Sequence, residues 1–250
     1  MFLPLMAMMA LEACGGAKPA SKPAAPAFAA DTIVAPNGTP VVFTFIKHGS
    51  LAISYGDYQI QVDPVRQLPP VTDYSQFGKA NLILVTHEHF DHYDADAIAT
   101  LTGAKTQVVL NGRCQQMLGH GTAMANGDSM QVTPEITLKA VPAYNTTPEH
   151  LKFHPRGRDN GYVLTLGGLR VYIAADTEDI PEMAKLKGGV DVAFLPCNQP
   201  YTMTPEQLAH AARMIEPKVL YPYHYGQTPV QRCAQLLQGT GIEVRIRPLQ

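Results

Sequence analysis

Residues 87–92 read His-Glu-His-Phe-Asp-His, which places three imidazoles and the carboxylate of Asp91 within six residues. Each of these polar side chains needs a partner if it is buried, so packing alone does not account for them. Imidazole nitrogen and carboxylate oxygen, without thiolate, suit zinc, manganese or iron. The spacing therefore predicts a divalent-metal site with His87, His89, Asp91 and His92 as ligands. The alternative is a solvated loop that is rich in His by chance.

Short apolar segments must position these side chains. The run at 82–86 reads as a buried strand, so the motif lies where that strand passes into a loop. Asp176 follows the apolar run 171–175 in the same way, and His224 follows a strand at 219–221. Taken alone, Asp176 could instead cap a helix, and His224 could be a core histidine with satisfied hydrogen bonds.

The rest of the chain shows strands in hairpins first and strand–helix alternation afterwards. This order predicts sheets sandwiched by helices, an α/β (α+β) fold. The helix from Thr204 has a cap, a Pro at its first position and a Gln at its third. The other predicted strands are 41–46, 51–55, 58–62, 107–110, a pair broken near Pro134, 162–166, 169–174 and 190–195; the other helices are 94–101 and one near Gln115.

The motif and four further segments together resemble the metallo-β-lactamase-fold superfamily. The branch that they resemble most is that of small metal-dependent hydrolases of the ascorbate-phosphate-lactonase-like kind. The resemblance implies a four-layer αββα sandwich. The four segments are Val62-Asp63-Pro64, residues 174–177, residues 192–203 and Tyr223-His224-Tyr225-Gly226.

The resemblance also implies two divalent metal ions, zinc in the first place with manganese or iron as alternatives. One site would take His87, His89 and a third histidine. The other would take Asp91, His92 and His224, with the Asp176 carboxylate between the two sites.

The third histidine of the first site is left open by the sequence. Superfamily members carry it just after a strand, where this chain has Val141-Pro142-Ala143-Tyr144-Asn145. His154 is the nearest substitute, and His150 and the carbonyl oxygen of Asn145 are alternatives. With no third protein ligand, the first site would be weak and the protein functionally mononuclear.

These ligands predict hydrolysis of an ester, lactone or phosphodiester of a small molecule by a metal-activated water. Asp91 is expected to orient that water as a general base. His48 resembles a superfamily position at the pocket mouth, where it would donate to the substrate or leaving group; the alternative is a structural histidine in a hairpin. Asp63 would hold the metal loop by hydrogen bonds. The alternative function is that of a non-catalytic, membrane-anchored metal-binding accessory or sensor protein.

The long loop at 143–158 carries Lys152, Arg156 and Arg158, which could bind an anionic substrate group. The alternative is a solvated loop, since exposed Lys and Arg are common.

Composition indicates one large domain and a small-molecule partner. The 250 residues are 46% hydrophobic and 16% charged, with a net charge of −2. A pI near 6.5 without a basic stripe disfavours nucleic acid as a partner. The oligomeric state does not follow from the sequence.

The N-terminus resembles that of a bacterial lipoprotein. Residues 1–14 are apolar and end in Leu11-Glu12-Ala13-Cys14, which predicts a signal segment and a lipidated Cys14. Residues 15–38 read as an Ala/Pro-rich tether and residues 39–250 as the hydrolase domain. The predicted location is the cell envelope, with the cytoplasm as the alternative. The remaining thiols, an odd number, form no disulfide framework; they are Cys114, Cys197 and Cys233.

Overall fold

The computed structural model describes residues 28–249, which form two seven-stranded sheets with helices on their outer faces. The first sheet holds strands β1 to β7 in chain order. The second sheet holds strands β8 to β14, also in chain order. Each sheet is therefore built from one half of the described chain.

The strands of the first half are Ala30–Val34, Pro40–Lys47, Ser50–Tyr55, Tyr58–Val62, Leu82–Leu84, Gln107–Leu110 and Thr122–Ala123, here β1 to β7. Those of the second half are Ser129–Thr133, Ile136–Ala143, Asp159–Leu166, Leu169–Ile173, Val192–Pro196, Val219–Tyr223 and Glu243–Val244, here β8 to β14. The α-helices are Ala95–Leu101, Gly112–Leu118, Pro205–Ile215 and Gln231–Leu236, here α1 to α4. Short 3₁₀ helices span Tyr74–Phe77, Pro148–His150 and Pro181–Leu186.

The two halves have the same topology. In the first sheet β1 to β4 pair antiparallel, and β4 to β7 pair parallel. In the second sheet β8 to β11 pair antiparallel, and β11 to β14 pair parallel. The sequence shows no repeat, so the structure alone reveals this duplication of the strand order. The parallel strands of each half end in loops, and those loops carry most of the predicted ligands.

The main core lies between the two sheets. Rings from the first sheet meet rings from the second: Phe43 lies 5.7 Å from Phe194, and Phe45 lies 5.1 Å from Tyr221, between centroids. All four side chains are fully buried. Burying large aromatic side chains from both sheets is a major source of stability, since each removes a large apolar area from water.

Helices complete the outer layers. Helix α1 begins at the N-cap Asp94, whose side chain accepts hydrogen bonds from two backbone amides of the first turn. Its apolar face, including Ile98, joins a second cluster on the outer side of the first sheet. Helix α3 has the capping box expected from the sequence, formed by Thr204 and Gln207. The predicted four-layer α/β sandwich is confirmed.

The folded domain begins earlier than predicted. Strand β1 lies inside residues 15–38, which the sequence analysis assigned to a tether, and it pairs antiparallel with β2. Its Asp31 also pairs with Arg247 near the C-terminus, at 2.7 Å. The boundary at residue 39 is therefore wrong, because contacts distant in sequence order this segment.

The predicted signal segment and Cys14 lie outside the described residues. Within 28–249, no helix has both the length and the apolar character needed to cross a membrane.

Candidate metal centre

The predicted ligands converge at loops that follow strand ends. His87 to His92 lie three to eight residues beyond β5, Asp176 lies three residues beyond β11, and His224 directly follows β13. His48 lies in the turn between β2 and β3. His154 comes from the loop between β9 and β10.

Four backbone positions around the centre have positive φ angles. These are 45° at His48, 42° at Asp63, 60° at Ala175 and 49° at His224. Non-glycine residues adopt this left-handed region only at an energetic cost, which the surrounding structure must offset. Such strain clusters where side chains must be aimed at one point, and here two of the four side chains belong to the cluster of ligands.

The first group of side chains consists of His87, His89, His154 and Asp176. One nitrogen or oxygen atom from each lies within 4.8 Å of the others. His87 Nε2 is 3.1 Å from His89 Nδ1. His154 Nε2 is 3.3 Å from Asp176 Oδ2, and His87 Nε2 is 3.9 Å from the same oxygen.

The second group consists of His48, Asp91, His92 and His224, again within 4.8 Å. Asp91 Oδ2 is 3.2 Å from His48 Nε2 and 3.5 Å from His224 Nε2. The group includes His48, which the resemblance had placed at the pocket mouth as a donor to the substrate. The structure brings it beside Asp91 instead, with its side chain mostly buried.

Asp176 faces both groups. Its Oδ1 is 3.3 Å from His92 Nε2, while its Oδ2 is 3.3 Å from both His224 Nε2 and His154 Nε2. Imidazoles of both groups thus lie 3.3 Å from this one carboxylate, which is suited to link two cations. The structure thus places Asp176 between the groups, where the resemblance put it.

The inward-facing atoms fit metal ions. Nε2 of His92, His154 and His224 and Oδ1 of Asp176 are buried, and none has a hydrogen-bond partner in the described chain. Leaving so many polar atoms unsatisfied in one place is costly, because each has lost its water. A nitrogen and oxygen donor set without thiolate suits a divalent cation of the zinc, manganese or iron kind.

The outer nitrogens of three ligand histidines have partners. His92 Nδ1 lies 2.8 Å from Asp63 Oδ2, and His154 Nδ1 lies 3.0 Å from Asp159 Oδ2. A carboxylate accepts, so each Nδ1 donates and Nε2 presents its lone pair inward.

His87 reaches the same Asp63 carboxylate through a hydroxyl. Its Nδ1 is 2.9 Å from Thr86 Oγ1, which donates to Asp63 at 2.7 Å. Asp63 therefore orients His87 and His92 together, and Asp159 orients His154.

Charge in the cluster is strongly coupled. Burial alone would raise the pKa of Asp176, but the imidazoles of His224 and His92 outweigh it and hold that pKa well below its usual range. Burial lowers the pKa of His87 well below its ordinary value, which favours the neutral imidazole. Burial lowers the pKa of His154, but the hydrogen bond to Asp159 and the nearby Asp176 carboxylate outweigh burial and raise the pKa to about 9. The centre thus combines ionised carboxylates with imidazoles in one buried space.

The structure selects His154 among the sequence candidates for the third histidine. His150 points elsewhere and lies 2.9 Å from Glu178. The Asn145 amide nitrogen donates to the carbonyl oxygens of Tyr201 and His150, at 2.8 and 3.3 Å. Its Oδ1 is buried without a partner in the described chain, and both hydrogen bonds of its amide nitrogen go to backbone carbonyls and not to a ligand residue.

The cationic side chains of the 143–158 loop are largely engaged with acidic neighbours. Arg156 pairs with Glu182 at 2.7 Å, and Arg158 pairs with Asp159 and Glu88 at 2.6 and 3.3 Å. Of the three cationic side chains of this loop, only that of Lys152 forms no ion pair with residues 28–249.

Several residues at the centre escaped the sequence analysis. Asp159 and Thr86 orient ligand histidines, and Glu178 holds the loop that carries His154 by accepting from Thr146 and Thr147 amides at 2.8 and 2.7 Å. Thr86 directly precedes the motif, which was a usable signal. Asp159 and Glu178 carried no signal, because their partners are fixed by the fold.

Comparison with known families identifies relatives over most of the chain. A family model described as the beta-lactamase superfamily domain matches residues 57–225. The UPF0173 metal-dependent hydrolase of Pyrococcus furiosus is 32% identical over 198 residues, covering 76% of this chain and 86% of the relative. That of Symbiobacterium thermophilum is 32% identical over 215 residues, covering 81% and 90%.

Solved structures show the same fold. The crystal structure of a candidate metal-dependent hydrolase from Parabacteroides distasonis superposes with a TM-score of 0.86 at 52% identity, covering 89% of this chain and all of the other. Igni18, a metallo hydrolase from Ignicoccus hospitalis, superposes with a TM-score of 0.70 at 24% identity, covering 84% and 96%.

Proposed function

The chain belongs to the metal-dependent hydrolases of the metallo-β-lactamase superfamily, and we propose that it hydrolyses an ester, lactone or phosphodiester of a small molecule. Two divalent cations, zinc in the first place, would be held by two sets of ligands with Asp176 shared between them: His87, His89 and His154 in one set, and Asp91, His92 and His224 in the other. The observation that carries the proposal is the set of buried, unpartnered imidazole nitrogens around that one carboxylate. A site that only had to be stable would not leave these atoms unsatisfied.

The chemistry divides between the cations and the chain. Bound divalent ions would supply Lewis acidity and bring the pKa of water towards ~7. Asp91 and Asp176 are the acidic ligands that line the cleft, and the carboxylate of Asp91 is held between His48 and His224. The pKa of Asp91 lies well below its usual range, since the neighbouring imidazoles outweigh the effect of burial. Asp91 is therefore ionised at neutral pH and can orient the attacking water by accepting its hydrogen bond.

His48 supports this role. Burial lowers the pKa of His48, so its imidazole is mostly neutral at pH 7 and can donate from Nε2 to Asp91 while remaining able to exchange a proton. In this proposal His48 restrains the Asp91 carboxylate, which orients the water. His48 is also the imidazole in hydrogen-bond contact with Asp91 that could take up a proton passed on from the water.

Metal content and hydrolysis measured on the same samples test the function. We expect two metal ions per chain in the wild type, one in His154→Ala, and two in the control His120→Ala, which alters an exposed histidine outside both groups. His87→Ala should lose hydrolysis of a panel containing an aryl ester, a lactone and bis(p-nitrophenyl) phosphate. Full activity in a chelator-treated, metal-free sample would overturn the proposal.

The same experiment separates the alternative function. A non-catalytic metal-binding protein would hold metal in the wild type, lose it in the His154 variant, and hydrolyse none of the three substrate classes. One metal per chain, unchanged by His154→Ala, would instead mean that the first site does not bind.

We also propose that the protein is anchored in the cell envelope through a lipidated Cys14. Its support is the apolar segment 1–14 that ends in this cysteine and the Ala/Pro-rich residues after it. Labelling with a fatty-acid analogue during expression in a bacterium should mark the wild type and not Cys14→Ser. An unlabelled wild type found in the soluble fraction would show that the anchor is absent.

A further inference from the structure

A cleft of about 310 Å³ opens directly onto the metal centre, and one of its sides is aromatic. The ligands His89, Asp91, His154 and Asp176 form its inner end. Phe90, Phe153 and Tyr201 line the same cleft. Its volume is at the lower end of the range for small-molecule sites. Metal ligands and aromatic rings thus share a single space.

Phe90 is the most unusual member of this aromatic side. It stands between the ligands His89 and Asp91, yet 79% of its surface is exposed. The side chains of the adjacent ligands point inward, whereas the Phe90 ring stays mostly in water. An exposed ring buries little apolar area, so Phe90 contributes little to the stability of the fold. The arrangement is understandable if a ligand covers the ring.

The other two aromatic rings of the cleft contact each other. Phe153 and Tyr201 meet edge to face, with centroids 5.0 Å apart, and Tyr201 is 44% exposed. Phe153 comes from the same loop as the ligand His154, and the Tyr201 carbonyl accepts a hydrogen bond from Asn145 at 2.8 Å. These contacts keep both rings beside the centre, so their position is tied to that of the first group of ligands.

Few unpaired positive charges near the cleft are available to bind an anionic group in its outer part. The two arginines of the neighbouring loop are committed to acidic partners: Arg156 to Glu182, and Arg158 to Asp159 and Glu88. The Lys152 ammonium lies 5.0 Å over the Phe153 ring. Among the described lining residues that are not metal ligands, the polar groups are the uncharged amide of Asn198 and the hydroxyl of Tyr201. A phosphate there would meet no free guanidinium and a single ammonium, that of Lys152, whereas an apolar group would meet three rings.

We propose that the substrate is a carboxylic ester or lactone whose apolar acyl or aryl group packs between Phe90 and the Phe153–Tyr201 pair. This inference rests on the hydrolase function proposed above and narrows its substrate class. In the reaction the water oxygen bonds to the carbonyl carbon, the carbonyl–oxygen single bond breaks, and a proton from water passes to the leaving oxygen. The products are a carboxylic acid and an alcohol, or a hydroxy acid from a lactone, and no oxidant or reductant is required.

A chain-length series tests the aromatic wall. For metal-loaded protein we expect kcat/KM to rise about twofold per methylene from p-nitrophenyl acetate to hexanoate, roughly 16-fold over the four methylenes, as for methylenes that are about half buried. Phe90→Ala should reduce the hexanoate-to-acetate ratio to about twofold, and Phe90→Leu should fall between. The control is Met117→Ala, which removes an exposed apolar side chain on α2 that does not line the cleft. It should keep the wild-type hexanoate-to-acetate ratio.

Metal content is measured on each variant, so that a Phe90 variant which has lost a metal ion is not mistaken for one which has lost a contact. A hexanoate-to-acetate ratio that Phe90→Ala leaves unchanged would overturn the inference. So would faster hydrolysis of bis(p-nitrophenyl) phosphate than of every carboxylic ester.

Binding without turnover separates this inference from the proposed function. Ligand-observed NMR should show hexanoate bound at least tenfold more tightly than acetate, and more tightly than hexyl phosphate, with the preference lost in Phe90→Ala. If no ester is hydrolysed and this binding pattern still appears, the hydrolase function is wrong but the aromatic site stands. If esters are hydrolysed without any dependence on chain length, the function stands and this inference is wrong. A dimer in sedimentation that Phe90→Ala dissociates would mean that a second copy covers the rings, and would also refute the inference.

Discussion

Asp159→Asn should weaken one metal site while leaving the other intact. The wild-type carboxylate is fully buried and accepts from His154 Nδ1 at 3.0 Å, which turns Nε2 of that ring toward Asp176. His154 is the member of the first group that comes from a loop between antiparallel strands, so it depends on this contact for its orientation. An asparagine has nearly the same shape but only one acceptor oxygen, and it carries no charge to make the imidazole a better ligand.

The expected magnitude follows from measured effects of such outer partners. Losing one costs about 10- to 100-fold in metal affinity, which is about 1.4 to 2.8 kcal/mol. The variant also loses the partly exposed ion pair between Asp159 and Arg158. That loss should lower the free energy of unfolding by about 1 to 3 kcal/mol, because the carboxylate is fully buried and Arg158 keeps only part of its solvent contact.

Zinc titration against a chelator of known affinity, read as two stepwise dissociation constants, is the assay. Asp159→Asn should shift only one constant. Asp63→Asn should shift both, because Asp63 orients His92 directly and His87 through Thr86. Asp179→Asn is the matched control, since it changes an Asp–His pair at 2.7 Å that lies outside both groups.

A double-mutant cycle gives the decisive outcome. If Asp159 acts through His154, adding Asp159→Asn to His154→Ala should change the metal affinity no further. Additive losses would mean that Asp159 acts by another route. A single Asp159→Asn variant with wild-type constants would refute the argument from imidazole orientation altogether.

Three further results are expected. Hydrogen bonds from the Thr146 and Thr147 amides and His150 lower the pKa of Glu178 to about 2 against the effect of burial, so its stabilisation is complete above about pH 4.5 and is lost as the pH falls through 2. Glu178→Gln should therefore unfold more easily at pH 7, by about 1–2 kcal/mol in urea titrations, and should show a flatter loss of stability between pH 5 and 2; an unchanged acid profile would exclude this role. Gly161→Ala should lower the melting temperature by several degrees, since an added Cβ would lie 2.9 Å from a backbone carbonyl oxygen; a wild-type melting temperature would show that β10 and β11 can separate freely. In a Cys14→Ser background, Ellman's reagent should react at least ~10-fold more slowly with the native protein than with the unfolded chain, because the other three thiols are buried; equal rates would contradict that burial.

Much of the local structure follows from short patterns in the sequence. Strands such as Tyr58–Val62 and Gln107–Leu110 lie where their apolar residues predicted them, and α3 begins at its capping box. The reason is that a buried strand or a helix cap is determined by residues within a few positions of each other. Strand β1 was missed because it is ordered by its pairing with β2 and by Arg247 at the other end of the chain.

The site divides along the same line. The sequence by itself predicted a divalent-metal site. The reason is that four nitrogen and oxygen donors lie in one short run after a strand, where packing alone does not explain them: His87, His89, Asp91 and His92. Only the tertiary structure decided which side chain completes the first group, because the sequence favoured His154 but left His150 and Asn145, within ten residues of it, as alternatives. The fold turns His154 inward through Asp159, turns His150 toward Glu178, and ties the Asn145 amide to backbone carbonyls. It also brings Phe90, Phe153 and Tyr201 into one cleft. Phe90 is 63 and 111 positions from the other two residues, so their proximity depends on how the two sheets pack and on no pattern within either segment.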